Sequence, residues 1–186
     1  MSIYENTYGY CPGGYHPVHL NDKFHNGRYT VVNKLGHGMY AVVWLVYDSQ
    51  IGRYAALKIC IANLERSKSR HVRAQSSQSP DDNDEGNNHV VQIFDVFTHQ
   101  GPNGTHLCIV TEILGPNLAE ALMCMYVDDS APTGVAKRLA AQVAYGLRYL
   151  HKHRIVHGDL HVRNVLLYAP TIISSSSSQE HTPTRL

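Results

Sequence analysis

The chain reads as an α+β fold in which a five-stranded antiparallel sheet comes first and helices follow. Two observations predict it. Between residues 29 and 112, five runs rich in β-branched and aromatic residues alternate with glycine-, proline- and asparagine-containing breaks, the pattern of short paired strands. After residue 115 the apolar spacing changes to three and four residues, the repeat of a helix with one buried stripe. At 186 residues the chain is long enough for a substantial core.

The arm comes first. Residues 1–27, punctuated by Pro12-Gly13-Gly14 and His16-Pro17, read as irregular. His16 and His19 read as polar arm residues rather than metal ligands, because no second ligand pair follows at a metal spacing. Strands are expected at 29–35, 41–47, 54–60, 90–97 and 106–112. Residues 62–75 suit a short charged helix, and 76–88 a polar, acidic loop with nothing to bury. Asn117 would cap a helix running to 127. A long helix follows over 133–152, striped by Val135, Leu139, Val143, Leu147 and Leu150, with His151 and His153 near its negative end. A short strand is expected at 165–167, and the serine run from Ser174 to Ser178 opens a low-complexity tail expected to be disordered. The expected organisation is an arm over 1–27, a sheet unit over 28–114, a helical unit over 115–168 and a tail over 169–186.

Composition narrows the function classes. A formal charge of +1 implies no basic face, so no nucleic-acid partner is expected. The first residues lack the basic flank and apolar core of a signal peptide. No apolar run nears the roughly 18 residues a bilayer demands, so no membrane partner is expected. Cys11, Cys60, Cys108 and Cys124 form no C-x-x-C pair and fit a reducing, intracellular setting in cytoplasm or nucleus.

Three stretches carry chemistry. Gly36-His37-Gly38 lies between two strands, where glycine lets backbone approach a ligand closely. A dinucleotide fingerprint would run from strand into helix, and a Walker loop would need G-K-[ST]. Strand-loop-strand placement suits a flap over phosphates instead. Lys58 stands inside an apolar strand, where a charge is costly without a partner, and phosphates would supply one. Taken alone, a glycine-turn hairpin and an edge-strand lysine explain both features as well. The third stretch is 155–167, where Asn164 follows Asp159 by five positions. The histidines at 151, 153, 157 and 161 lack the H-E-x-x-H spacing of a metal helix.

Flap, strand lysine, helix and H-x-D-x-x-x-x-N loop, in that order, resemble the eukaryotic protein kinases. The run from Gly13 to Val18, Trp44, and the run from Pro102 to His106 resemble the SR-protein kinase branch, which phosphorylates serines in Arg-Ser-rich splicing factors. The resemblance covers about residues 10–167. It implies a protein-kinase-like fold, incomplete in its helical lobe, with ATP and Mg2+ as cofactors and a protein substrate as partner. Position by position it implies that Leu35, Gly36, His37, Gly38 and Val43 frame the nucleotide and that Lys58 holds its phosphates. Thr111 would stand beside the adenine, with Glu112 to Leu114 as the hinge. Asp159 would be the catalytic base, Asn164 a magnesium ligand and His157 an anchor for the loop.

Departures temper this. Ala41 replaces the flap's third glycine, Gly158 the arginine before Asp159, and His161 the loop lysine. Histidine has a reference pKa of about 6.5 against about 10.4 for lysine, so it matches a γ-phosphate less well. The helix-C glutamate that would pair with Lys58 has no clear counterpart, with His71 and Glu65 at the candidate positions. No D-F-G or D-L-G follows the loop, so the resemblance implies the first part of a kinase domain, with the 135–150 stripe left uncovered. Two alternatives stay open. One is a non-catalytic nucleotide-binding scaffold. The other is a small-molecule phosphotransferase of the aminoglycoside or choline kinase type, whose loop the run from His157 to Asn164 also resembles.

Overall fold

Alternating β-branched residues drive one continuous sheet. The computed structural model describes residues 5–62, 84–126 and 130–168. Strands β1 (Lys23–Phe24), β2 (Tyr29–Gly38), β3 (Ala41–Asp48), β4 (Arg53–Cys60), β5 (Ile93–Gly101) and β6 (Gly104–Thr111) pair antiparallel in the order β1-β2-β3-β4-β6-β5. Helices α1 (Leu118–Met125) and α2 (Thr133–Lys152) follow. The α+β expectation holds, with one strand more than expected. That strand, β1, lies in the stretch read as irregular arm. It is two residues long and pairs with β2 through a turn whose His25, Asn26 and Gly27 are all left-handed, so no alternation betrays it.

Successive side chains point to opposite faces of a strand. Val42, Trp44 and Val46 of β3, Ala55, Leu57 and Ile59 of β4, and Cys108 and Val110 of β6 form the main core with Phe24, Tyr29 and Val31. Tyr15 completes that core, with Tyr10 and Val18 packed against it. The arm is therefore one wall of the core. His16 belongs to that wall too, which corrects its reading as a polar arm residue. Its ring packs edge-on against His99 at 4.7 Å and tilted against His106 at 5.0 Å. Gly101 makes the room, since a Cβ there would stand 2.2 Å from His16 Nδ1. Burial, then the neighbouring His99 and His106, push His16 down to about 4. His19 stays exposed.

Boundaries moved where local turns intervene. β5 starts at Ile93, because a 3₁₀ turn at Glu85–His89 ends just before Val90 and Val91. The end of the expected acidic loop is thus structured. Asp84 caps that turn by accepting the Gly86 N–H at 2.9 Å, and it also accepts from Arg148 Nη2 at 3.0 Å and Lys152 Nζ at 3.2 Å. The expected strand at 165–167 reduces to a single bridge, Asn117 with Leu166. The expected helix over 62–75 from residue 63 on, the loop over 76–83 and the tail over 169–186 lie outside the described residues.

The helix α2 packs on the Glu85–His89 turn through small residues. Gly146 and Tyr149 are its buried positions, while Val135, Leu139, Val143, Leu147 and Leu150 are half-buried, so the stripe is less bare than its expected lack of a cover implied. A Cβ on Gly86 would lie 2.5 Å from Tyr145 O and 2.7 Å from Tyr149 Cβ. Gly86→Ala is therefore expected to cost about 1–3 kcal/mol, because helix backbone must shift to admit it. Gly134→Ala, whose Cβ would meet nothing within 4 Å, should instead be neutral or stabilise by up to about 1 kcal/mol. Urea unfolding of the two variants would read the contrast.

Candidate functional site: a glycine flap, a strand lysine and an Asp–Asn loop

The flap is the β2–β3 hairpin. Gly36 pairs with Val43 at a bulge after Lys34, and Gly38 pairs with Ala41 across the Met39–Tyr40 turn. Val43 pairs with Lys58, and Lys58 with Ile109. Directly paired residues share a face, so Val43, Lys58 and Ile109 form a row on the side opposite the main core, where Ile109 belongs to a second buried cluster with Ala41, Cys60 and Leu107. Ala56 and Thr111 form the next row on the same face. The arm covers the side of the main core, and on the other side half-buried Val43 and Lys58 stand beside the second cluster.

Lys58 is half-buried on that face. Among the described residues no hydrogen bond or ion pair engages its ammonium group. Leu35, at the bulge, and His37 are exposed. Gly36 and Gly38 have no left-handed backbone, and a Cβ on either would meet nothing within 4 Å. The fold itself does not demand glycine at these two positions.

The segment after β6 leads to the loop. Glu112 commits its side chain to Gln92, whose N–H it accepts at 2.9 Å, while its own N–H donates to Gln92 O at 3.1 Å. Thr111 Oγ1 donates to Glu112 O at 3.0 Å, and Leu114 is half-buried. Gly115 N–H then donates to Leu167 O at 2.8 Å, Leu167 N–H to Pro116 O at 3.1 Å, and Leu118 N–H to Val165 O at 2.8 Å. These three bonds fasten the end of the Asp–Asn loop to the segment after β6. Asn117, between them, caps α1 by accepting the Glu120 N–H at 3.0 Å, as expected.

Inside the loop, left-handed Arg154 and Gly158 turn the chain out of α2. His157 Nδ1 accepts the Asp159 N–H at 3.3 Å. Asn164 Nδ2 donates to Asp159 O at 2.8 Å and lies 3.2 Å from Asp159 Oδ2. His161 Nδ1 accepts the Arg163 N–H at 3.2 Å, and its Nε2 lies 3.9 Å from Asp159 Oδ1. Asp159, His161 and Asn164 are thus gathered by local bonds and remain exposed to solvent.

The predicted residues fall into two groups. Gly36, Val43 and Lys58 share adjacent strands, Asp159 and Asn164 share one loop, and the 115–118 segment links β6 to that loop. Among the described residues no hydrogen bond of Lys58 spans the groups, and no three His, Cys, Asp or Glu side chains converge as metal ligands. A cavity of about 240 Å³ lined by His25, Asn26, Gly27, Arg28, Ser49 and Gln50 lies at the other end of β2 and β3, away from every predicted site residue. Among the described residues no helix is long and apolar enough to cross a membrane. One residue escaped the sequence reading. The Tyr15 hydroxyl donates to Gly38 O at 2.9 Å, and its only sequence signal was the Gly13-Gly14-Tyr15-His16-Pro17 run.

Known proteins agree with this architecture. The model for "Protein kinase domain" matches residues 29–173. Protein kinase dsk1 of Schizosaccharomyces pombe is 39% identical over 88% of this chain and 30% of its own length. SRSF protein kinase 3 of Homo sapiens is 38% identical over 88% of this chain and 29% of its own. Serine/threonine-protein kinase SKY1 of Saccharomyces cerevisiae is 34% identical over 88% of this chain and 23% of its own. The chain therefore spans less than a third of the length of these relatives. A crystallised kinase domain superposes with a TM-score of 0.64 at 24% identity, covering 83% of this chain and 44% of that one, which speaks to the fold. On the family match across most of its length, this chain belongs to the protein kinase domain family and is similar to the SR-protein kinases within it.

Proposed function

We propose that the chain carries the nucleotide-binding part and the catalytic loop of an ATP-dependent serine/threonine protein kinase that acts on Arg-Ser-rich splicing factors. The observation that carries this reading is the row from Gly36 through Val43 to Lys58 on the face opposite the arm, with an ammonium group that no described residue engages. A triphosphate is the natural complement of such a charge beside flexible backbone. The side-chain oxygen of Asn164 suits a hard cation such as Mg2+. When bound, Mg2+ and ATP supply the phosphoryl group and the charge balance for its transfer.

In this reading Leu35 and Val43 bracket the base, and the backbone of Glu112 to Leu114 lines its edge beside Thr111. His37 and the two glycines cover the phosphates, and Lys58 holds them. Asp159 accepts the proton of the incoming serine hydroxyl. The Asn164 amide, fixed by its bond to Asp159 O, would hold the metal through its oxygen, and His157 anchors the loop. The relative named as an SRSF kinase supports the splicing-factor substrate, and the setting that goes with this reading is intracellular, in cytoplasm or nucleus.

Calorimetric titration of the full chain with Mg2+ and ATP tests the reading, followed by phosphotransfer to an Arg-Ser peptide, to choline and to an aminoglycoside. Mg2+-dependent ATP binding and transfer to the peptide are expected. Gly36→Ala should weaken ATP binding about three- to tenfold while leaving stability unchanged or higher by up to about 1 kcal/mol, since glycine weakens a strand interior. An absence of Mg2+-dependent ATP binding would overturn the assignment, and transfer to a small molecule alone would move it to the other phosphotransferase class. A non-catalytic nucleotide-binding module is the second reading. It is favoured by His161 in the lysine position and by the lack of a carboxylate partner for Lys58 among the described residues, and binding without transfer would support it.

A further inference from the structure

We propose that the N-terminal arm sets the position of the glycine flap through the Tyr15 hydroxyl, and so tunes the affinity of the site for nucleotide phosphates. The hydroxyl donates to Gly38 O at 2.9 Å and lies 3.2 Å from Met39 O. The next carbonyl, Tyr40 O, accepts the Ile61 N–H at 3.0 Å. Three successive carbonyls at the turn are thus held by groups outside the hairpin. A second tie grips the same strand further from the turn, where the Glu5 carboxylate accepts from Lys34 Nζ and from the Tyr10 hydroxyl. The Tyr10 ring packs on Tyr15 at 5.5 Å.

A tether positions only if its own base is fixed, and this one is. Gly13 N–H donates to Asn103 O at 2.8 Å, Asn103 Nδ2 to Tyr15 O at 2.6 Å, and Ala62 N–H to Gly14 O at 3.1 Å. The arm is therefore pinned to the β5–β6 turn and to the end of β4. Its close folding requires the paired glycines: a Cβ on Gly9 would meet the Tyr15 ring at 2.5 Å, and one on Gly14 would lie 2.0 Å from Gly9 O. Burial, then the Glu5 carboxylate, push the Tyr15 phenol above its usual range, so the group stays a donor at any working pH.

The flap needs such a tie. Residues 37–40 are exposed, and a two-stranded hairpin is marginal where nothing packs on it. Holding it in place before the nucleotide arrives removes part of the ordering cost of binding. Tyr15 acts through the flap and not on the nucleotide, so it is a positioning residue. The affinity claim rests on the ATP reading above.

Tyr15→Phe in the full chain keeps the ring and removes the hydroxyl, and water can then satisfy the exposed carbonyls of Gly38 and Met39. Hydrogen–deuterium exchange over residues 36–42 without nucleotide, and calorimetry with Mg2+ and ATP, read the two parts. Faster exchange at the flap is expected, with Kd rising about three- to tenfold, the size one net hydrogen bond supplies, and little change in Tm. Tyr29→Phe removes a hydroxyl that donates to Asp95 at 2.7 Å, near the other end of β2. It should lower Tm and leave flap exchange and Kd alone. Unchanged flap exchange in Tyr15→Phe, or equal acceleration in Tyr29→Phe, would overturn the tie. A wild-type chain that binds no ATP would remove the nucleotide reading and the affinity claim with it, leaving the tie to be judged by exchange alone.

Discussion

Arg28→Ala is expected to lower the unfolding free energy by about 2–4 kcal/mol, because it strands a buried carboxylate. Arg28 Nε lies 3.0 Å from Asp48 Oδ1 and Nη2 lies 2.8 Å from Asp48 Oδ2, a fork geometry that few side chains can replace. Asp48 is 2% exposed. The third Arg28 nitrogen, Nη1, reaches Asp95 at 3.3 Å, where the Tyr29 hydroxyl and His25 Nδ1 also converge at 2.7 and 3.0 Å. One guanidinium therefore ties the turn before β2, the end of β3 and the start of β5. Arg28→Lys keeps the charge but loses the fork, and should recover only part of the loss.

The pH dependence separates charge from packing. Hydrogen bonds from Arg28 hold the Asp48 carboxyl below its ordinary value of 3.8. A lowered folded-state pKa adds stability that is full above the ordinary value and is lost as pH falls through the folded one. The gap between wild type and Arg28→Ala should thus be full at pH 7 and narrow below about pH 4. Chemical unfolding at both pH values reads it, and a gap of constant size would assign the loss to packing instead.

The sheet and the long helix were legible because period-two and period-three-to-four spacing are local signals. The reading of 133–152 matches α2 at both ends, and Asn117 caps α1 as its residue type suggests. What stayed hidden depends on contacts between distant segments. β1 has only two residues and owes its pairing to a left-handed turn. His16 looks polar in sequence, yet Gly101, 85 positions on, clears the space that buries it. Arg28, Asp48 and Asp95 each resemble ordinary turn or strand-end charges, and only the fold makes them one cluster. At the candidate site, Gly36, Lys58, Asp159 and Asn164 were proposed because spacing and context mark them. Tyr15 was not, because its partners are backbone carbonyls, which have no sequence signature.

Lys58→Met is expected to act in opposite directions on stability and on binding. Methionine keeps an unbranched apolar stem in the row between Val43 and Ile109 and removes a half-buried charge that no described residue engages. Desolvating such a charge is costly, so stability should hold or rise by up to about 1 kcal/mol. Binding should move the other way. Charge-assisted hydrogen bonds to phosphate contribute about 1.5–3 kcal/mol, so Kd for Mg2+ and ATP should rise about 10- to 100-fold. Adenosine lacks the phosphates and should bind wild type and variant alike. Calorimetry with both ligands, beside urea unfolding, distinguishes the possibilities. Equal losses for ATP and adenosine would mean that Lys58 shapes the site instead of gripping phosphate. A drop in stability would mean that the protein itself uses the charge, and the row from Gly36 to Lys58 would lose its claim to be a nucleotide site.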